Sequence, residues 1–208
     1  MTLAGVLIDS TWTPQATKII NRRANHEQIY YYFSDSSTRI SGYSDWARNY
    51  ISQVDSIIDL DFFETYDINS STIDFSFRDQ RYSDGNRLGL CTLKSDWIEA
   101  DTYLSYLTTT NHNYNTFIHE LGHALGLGEP GFDRRWNQDD TSMSYNANDN
   151  TGDFNVTYTS NDWDALLNIW GGEDNFKSGN SAANILLGQR GAIQSDSISG
   201  LGGNDNIY

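Results

Sequence analysis

Residues 119–130 read HELGHALGLGEP, and this stretch decides the fold and the chemistry expected of the chain. The surrounding segment 116–126 has helical character, with apolar residues recurring along one face. His119 and His123 stand four residues apart, so they project from one side of such a helix. Two imidazoles at that spacing can bind a single zinc ion through their ring nitrogens.

Glu120 follows the first of these histidines. There it would lie beside the metal without binding it, take a proton from the attacking water and later pass that proton to the leaving amine. The plainer interpretation is that both histidines are structural, as lone histidines on a helix usually are. The HExxH pattern, however, arises by chance in somewhat under about 1% of chains of this length. The helical context and the adjacent glutamate favour the metal site.

Gly126 falls where the helix carrying both histidines should end, because glycine readily adopts the left-handed conformation that terminates helices. A turn there would bring Glu129 back towards the metal as its third ligand. Three protein ligands and one water make the open site that hydrolysis requires. The alternative is that Glu129 points to solvent, which would leave zinc weakly held.

These residues resemble a known family. HELGHALGLGE is similar to the HExxHxxGxxH signature of the metzincin metalloproteases, and TSMSYN at 141–146 resembles their Met-turn. The resemblance implies that Met143 lies beneath the metal and that Tyr145 lies near it and stabilises the oxyanion. Glu129 departs from the family pattern. Because a carboxylate adds negative charge, we expect a weaker Lewis acid and an active enzyme with a higher pH optimum.

The C-terminal SGLGGNDNIY resembles the opening of a GGxGxD calcium-binding repeat, which makes the chain similar to the serralysin branch. Asn204 and Asp205 are then candidate calcium ligands, whereas the plainer interpretation is a polar tail. The predicted order of a strand, a long helix, several strands and another helix indicates an α+β fold, and the resemblance gives that fold its metzincin-like form. Its metzincin-like catalytic domain, with a mixed twisted sheet, two long helices and the Met-turn, would cover residues 1–172. The start of a calcium-binding β-roll would cover residues 173–208.

Hydrophobic patterning predicts further strands of this fold. The aromatic run IYYYF at 29–33 predicts a strand, and TIDFSF at 72–77 alternates as a half-buried strand does. One or two short strands are expected within 97–107. The turn-rich residues 78–90 predict a loop.

A long amphipathic helix is predicted from Ser44, with Ser44 as its N-cap and Asp45 placed favourably against the helix dipole. Two other segments extend the resemblance to serralysins. Residues 100–105 are similar to the edge strand that precedes the active-site helix, and residues 162–172 are similar to the helix that follows the Met-turn.

Composition restricts the partners. The 208 residues carry a formal net charge of −15, so a nucleic-acid partner is excluded by repulsion from phosphates. No apolar run approaches the roughly 20 residues that cross a bilayer, so no membrane partner is expected. Cys91 is the single cysteine and cannot form an internal disulfide, and we expect a buried or incidental thiol. His26 and His112 are expected at the surface.

These features predict a secreted, monomeric zinc endopeptidase that also binds calcium and acts on protein or peptide substrates. The substrate would lie extended and pair with the edge strand at 100–105. The N-terminus lacks a conventional signal peptide, so the resemblance implies export through a C-terminal signal further downstream. The competing hypothesis is a non-catalytic, calcium-dependent surface or adhesion module with a decayed protease-like domain. Glu129 favours this hypothesis, and the presence of Glu120 speaks against it.

Overall fold

A five-stranded mixed sheet forms the centre of the fold. The computed structural model describes residues 2–25, 27–35, 42–79, 87–105 and 108–173, and four two-residue strands further on. The sheet consists of β1 (Gln28–Asp35), β2 (Asp61–Glu64), β3 (Ile73–Asp79), β4 (Gly89–Leu93) and β5 (Ile98–Leu104). Its strand order is β2-β1-β3-β5-β4, and every neighbouring pair is parallel except β4 with β5.

Helices pack against this sheet and against one another. The described part of the chain contains α1 (Leu3–Leu7), α2 (Trp12–Arg23), α3 (Tyr43–Asp55), α4 (Thr110–Ala124) and α5 (Ser160–Trp170), with a 3₁₀ turn at Ile68–Ser70. The combination confirms the predicted α+β class with a mixed sheet. None of the described helices has the length and apolar character that a membrane span requires.

Aromatic rings join α3 and α4 to the sheet. Phe75 and Phe77 of β3 are fully buried, and their ring centroids lie 5.2 and 5.9 Å from that of Phe117 in α4. The Trp46 ring of α3 stacks on Tyr114 of α4 with 4.1 Å between centroids. Aromatic pairs of this kind contribute about 0.5–1.5 kcal/mol each beyond the area they bury. Helix α4 is therefore fixed firmly against the sheet.

The helix predicted from Ser44 is present as α3, but the predicted N-cap is wrong. Gly42 occupies the N-cap position with a φ of 79°, and Ser44 lies within the first turn. Glycine is suited to this position because it enters the left-handed region at little cost. Asp45 lies in the first turn, as predicted.

The strands predicted at 29–33 and 72–77 are confirmed as β1 and β3. The half-buried character predicted for β3 is wrong, because Asp74 and Ser76 on its polar face are also buried. The Ser76 hydroxyl donates to Asp101 of β5, so polar side chains of adjacent strands pair on this face. β3 has neighbouring strands on both sides, and such central strands are commonly buried on both faces.

The edge of the sheet also differs from the prediction. The strand within 97–107 is β5, which lies between β3 and β4, so residues 100–105 do not form an edge strand. The edge strand next to β5 is β4, which begins inside the segment 78–90 that was predicted to be a loop. Every residue of β4 is partly buried, so this strand does not alternate between a buried and an exposed face. Residues 80–86 of the predicted loop lie outside the described residues.

The C-terminal segment contains two short parallel ladders. β6 (Lys177–Ser178) pairs with β8 (Ile198–Ser199), and β7 (Ile185–Leu186) pairs with β9 (Asn206–Ile207). Each partner begins 21 residues later, at 198 against 177 and at 206 against 185. A constant offset is typical of a chain that coils in successive turns. Asn204 and Asp205 lie outside the described residues, so the calcium-binding roll and the division at residue 172 stay predictions.

Candidate metal centre

Helix α4 carries both histidines, and local chemistry fixes its two ends. The Thr109 hydroxyl caps its start by accepting from the His112 N–H at 3.1 Å. Gly126 follows its end with a φ of 96°, a conformation that favours glycine. The Leu127 N–H donates to the Gly122 carbonyl at 2.8 Å and so folds the chain back onto the helix. The turn predicted at Gly126 is confirmed.

Glu129 returns to the histidines after this turn. Its Oε2 lies 3.0 Å from His119 Nε2 and 3.4 Å from His123 Nε2. One donor atom from each of the three side chains lies within 4.8 Å of the others. Donors bound to a tetrahedral zinc ion at about 2.0–2.2 Å lie roughly 3.3–3.6 Å apart. The three side chains therefore suit a single metal ion, and Glu129 faces the histidines rather than solvent.

Backbone groups orient His123. Its Nδ1 lies 2.9 Å from the Leu127 carbonyl oxygen, and because that oxygen can only accept, Nδ1 carries the proton. This tautomer leaves Nε2 free on the side of Glu129. The indole N–H of Trp12 donates to the His123 carbonyl at 2.9 Å, and the Trp12 ring meets the imidazole at 5.5 Å between centroids. The ring of His123 is thus positioned by the protein itself.

The side chains of the cluster influence one another electrostatically. Burial would raise the pKa of Glu129, but hydrogen bonds and charge from His119 and His123 outweigh it and hold that pKa well below its usual range. Burial opposes a charge on His123, but Glu129 and Glu120 outweigh that effect and raise the pKa of His123. Glu129 therefore remains ionised, which is the state in which a carboxylate binds metal.

Glu120 is buried between α4 and the edge strand. Gly89 of β4 makes room for it, because a Cβ at position 89 would overlap the Glu120 carboxylate. Its Oε2 is buried and has no hydrogen-bond partner within the described part of the chain. Burial raises the pKa of Glu120, an effect that His119 and His123 reduce. An unpaired buried carboxylate beside a candidate metal site is a candidate proton acceptor.

Met143 lies against α4 at the level between the two histidines. It is fully buried, and a Cβ at Gly122 would lie 2.6 Å from its Sδ. Gly122 therefore provides the space that the thioether occupies. The Met143 N–H donates to the Thr141 hydroxyl at 3.1 Å, which fixes the segment. This placement suits the supporting role that the family resemblance implies for Met143.

Tyr145 reaches the same cluster from the segment after Met143. Its hydroxyl donates to Glu129 Oε1 at 2.8 Å, and its ring lies 5.3 Å from that of His119. The structure thus brings together all the residues predicted from the helix motif and the Met-turn, namely His119, Glu120, His123, Glu129, Met143 and Tyr145.

Two cavities meet at this cluster. The larger has a volume of about 620 Å³ and is lined by residues that include Trp12 and Cys91. The smaller has a volume of about 370 Å³ and is lined by residues that include His112 and Phe154. Glu120 lines both cavities, so open space reaches the candidate proton acceptor from two directions.

The N-terminal helices contribute to the site, which the sequence did not indicate. The Gly128 N–H donates to the Leu7 carbonyl at 2.9 Å, and the Thr13 hydroxyl donates to the Gly126 carbonyl at 2.6 Å. Trp12 lines the larger cavity. The one local signal is Gly128, where a Cβ would overlap the backbone of the first helix. These contacts support the turn that delivers Glu129.

The remaining candidates are not among the three side chains that could hold the metal. His112 is half-buried rather than on the open surface, and its ring stacks on Phe154 at 3.9 Å between centroids. Burial raises the pKa of the Cys91 thiol well above its usual value, which suits an incidental thiol and not a nucleophile. His26 lies outside the described residues.

No protein-family model matches the chain, and no curated protein matches its sequence. Function is therefore inferred from the chemistry of the site itself.

Proposed function

We propose that this protein is a zinc-dependent endopeptidase of the metzincin type, similar to the serralysins. The observation that carries the proposal is the meeting of His119, His123 and Glu129. Beside them lies a buried oxygen of Glu120 that has no hydrogen-bond partner among the described residues. Two imidazoles, one carboxylate and an open fourth position form the ligand set of hydrolytic zinc sites. Zinc held there would supply Lewis acidity towards the peptide carbonyl and the attacking water.

Glu120 would act first as a base and then as an acid. It takes a proton from water while the water oxygen bonds to the carbonyl carbon, and it gives that proton to the amide nitrogen while the C–N bond breaks. The raised pKa of Glu120, caused chiefly by burial, brings its proton affinity closer to the working range of such catalysis. Because Oε2 makes no hydrogen bond within the described residues, its lone pairs are free to accept that proton.

Strand β4 would bind the substrate. It is the sheet edge beside the site, and Gly89 within it touches the Glu120 side chain. An edge strand offers N–H and C=O groups with which an extended peptide can pair. A peptide paired along β4 would pass Glu120 and direct its side chains towards the two cavities. This assignment replaces the edge strand predicted at 100–105.

A caseinolysis assay with zinc-loaded protein tests the proposal. We expect the wild type to cleave casein, a chelator to abolish cleavage and added zinc to restore it. Glu120→Ala should retain zinc but lose activity by about 10²–10⁴-fold, which is the usual contribution of a general base. Glu64→Ala is the control, because Glu64 lies on β2 at the opposite edge of the sheet and pairs with Arg48.

Two outcomes would contradict the proposal. Equal, chelator-insensitive cleavage by the wild type and Glu120→Ala would show that the activity does not come from this site. An inactive wild type with zinc fully bound would favour the non-catalytic calcium-dependent module instead.

A further inference from the structure

Tyr145 and the two histidines contact opposite oxygens of one carboxylate. The Tyr145 hydroxyl donates to Glu129 Oε1 at 2.8 Å. Oε2 of the same carboxylate lies 3.0 Å from His119 Nε2 and 3.4 Å from His123 Nε2. Only Oε2 is therefore directed at the point where the three side chains meet.

Glu129 needs such a partner because its side chain is long and its surroundings are open. About a third of its side chain is exposed, 32% against 8% for His119 and 14% for His123. A glutamate ligand has several rotatable bonds, and neither oxygen is preferred unless something holds the other. Hydrogen-bonding partners of metal ligands commonly fix their orientation in this way.

The backbone joins the segment of Tyr145 to the segment of Glu129. The Tyr145 N–H donates to the Gly131 carbonyl at 3.0 Å, and Ser144 forms a parallel bridge with Gly131. Gly131 follows Glu129 by two residues and adopts a φ of 59°, where glycine is favoured. The backbone segments that carry the hydroxyl and the carboxylate are thus hydrogen-bonded to each other.

We propose that Tyr145 is a positioning residue that acts through Glu129 by fixing the carboxylate as a one-oxygen metal ligand. This inference rests on the proposed metal site. The hydrogen bond on Oε1 also draws negative charge away from Oε2, which offsets part of the charge that a carboxylate adds where the family pattern has a histidine. The oxyanion role implied by the resemblance would require the hydroxyl to leave Glu129.

A double-mutant cycle on metal affinity tests this role without any peptide substrate. Zinc affinity is measured by competition with chromophoric chelators for the wild type, Tyr145→Phe, Glu129→Ala and the double variant. We expect Tyr145→Phe to weaken zinc binding by about 10-fold or more, as loss of a ligand's hydrogen-bond partner typically does. In the Glu129→Ala background the same change should have no effect, because its route to the metal has been removed.

The cobalt-substituted protein gives a second measurement. Tyr145→Phe should alter the visible absorption of bound Co²⁺, since the spectrum reports how the carboxylate is coordinated. Tyr158→Phe is the matched control. The Tyr158 hydroxyl donates to the Ile118 carbonyl of α4, the helix that carries both histidines, at 2.9 Å and contacts no metal ligand. This control should leave both the affinity and the spectrum unchanged. Circular dichroism checks that each variant is folded.

Three results would overturn the inference. The first is an equal loss of affinity from Tyr145→Phe in both backgrounds. The second is unchanged zinc affinity and an unchanged Co²⁺ spectrum in Tyr145→Phe together with lost peptidase activity, which would place the hydroxyl on the reacting atoms. The third is zinc binding that does not depend on Glu129. If instead the cycle behaves as expected while zinc-loaded protein cleaves nothing, the positioning role stands and the proposed peptidase function fails.

Discussion

Asp162 and Glu120 are both buried carboxylates, but they differ in how many of their oxygens accept hydrogen bonds. One oxygen of Asp162 accepts from the Thr141 hydroxyl, and the other accepts from the Ser142 N–H at 2.8 Å and from the N–H and hydroxyl of Thr159 at 2.9 and 3.0 Å. Glu120 has an oxygen with no partner among the described residues. The first carboxylate is fully satisfied, and the second is left available.

The difference in hydrogen bonding indicates a structural role for Asp162 and a chemical role for Glu120. Asp162 ties the start of α5 to the segment that carries Met143, so its hydrogen bonds stabilise the floor of the site. Glu120 lies above that floor, where an unpaired oxygen costs stability but can accept a proton. Proteins commonly accept such a cost where a side chain has a function. Mutation of each residue should therefore affect a different property.

Asp162→Ala should have the largest effect on stability. The buried N–H of Ser142 and the partly buried N–H of Thr159 would lose their acceptor, and each unsatisfied buried group costs about 1–3 kcal/mol. We expect the free energy of unfolding of the metal-free protein to fall by about 3 kcal/mol or more. Chemical denaturation measures it, with the exposed Asp164→Ala on the same helix as control. Similar losses in both variants would show that Asp162 does not hold the segment in place.

Glu120→Ala should change stability little, and in the opposite direction. Removing the buried carboxylate relieves its desolvation, and alanine favours the helix. The free energy of unfolding should therefore stay level or rise by up to about 1 kcal/mol. The measurement is the same denaturation series on metal-free protein. A loss as large as that of Asp162→Ala would make Glu120 a structural residue and remove the contrast between the two carboxylates.

The parts of the site that can be predicted from the sequence are those set by local geometry. His119, Glu120 and His123 lie on one helical turn, and Gly126 ends that helix, so their arrangement follows from local geometry. Glu129 is reached through the same short turn. The placement of Met143 and Tyr145 depended on resemblance to the Met-turn, since no local rule connects them to the helix.

The parts that sequence could not predict depend on distant contacts. The edge position of β4 is set by the pairing order of the whole sheet, which no short pattern encodes. Trp12 reaches His123 across 111 residues of sequence. The prediction of Ser44 as an N-cap failed for a different reason. Serine is usually the stronger capping signal, but Gly42 occupies the position.

Asp74 offers an intermediate case between Asp162 and Glu120. It is buried on β3 and accepts a hydrogen bond from the Ser71 hydroxyl. Burial raises its pKa, and this effect exceeds the lowering by Ser71. Asp74 lies on the sheet face whose side chains pair with Asp101, and it lines neither cavity at the metal cluster. The buried charge of Asp74 should therefore lower stability without contributing to catalysis.

Asp74→Asn should raise stability slightly at neutral pH, with a smaller change than at Asp162. Because the folded pKa of Asp74 is raised, the folded state holds more protons than the unfolded state between the two pKa values, and the wild type loses stability as pH rises through that window. The gain in stability from Asn should therefore be full above the folded pKa and vanish as pH falls to the ordinary aspartate value of about 4. Denaturation midpoints across that range measure it, with Asp164→Asn as the exposed control. A gain at Asp74 that does not depend on pH would come from packing, and burial of the charge would then not be what distinguishes Asp74 from Asp162.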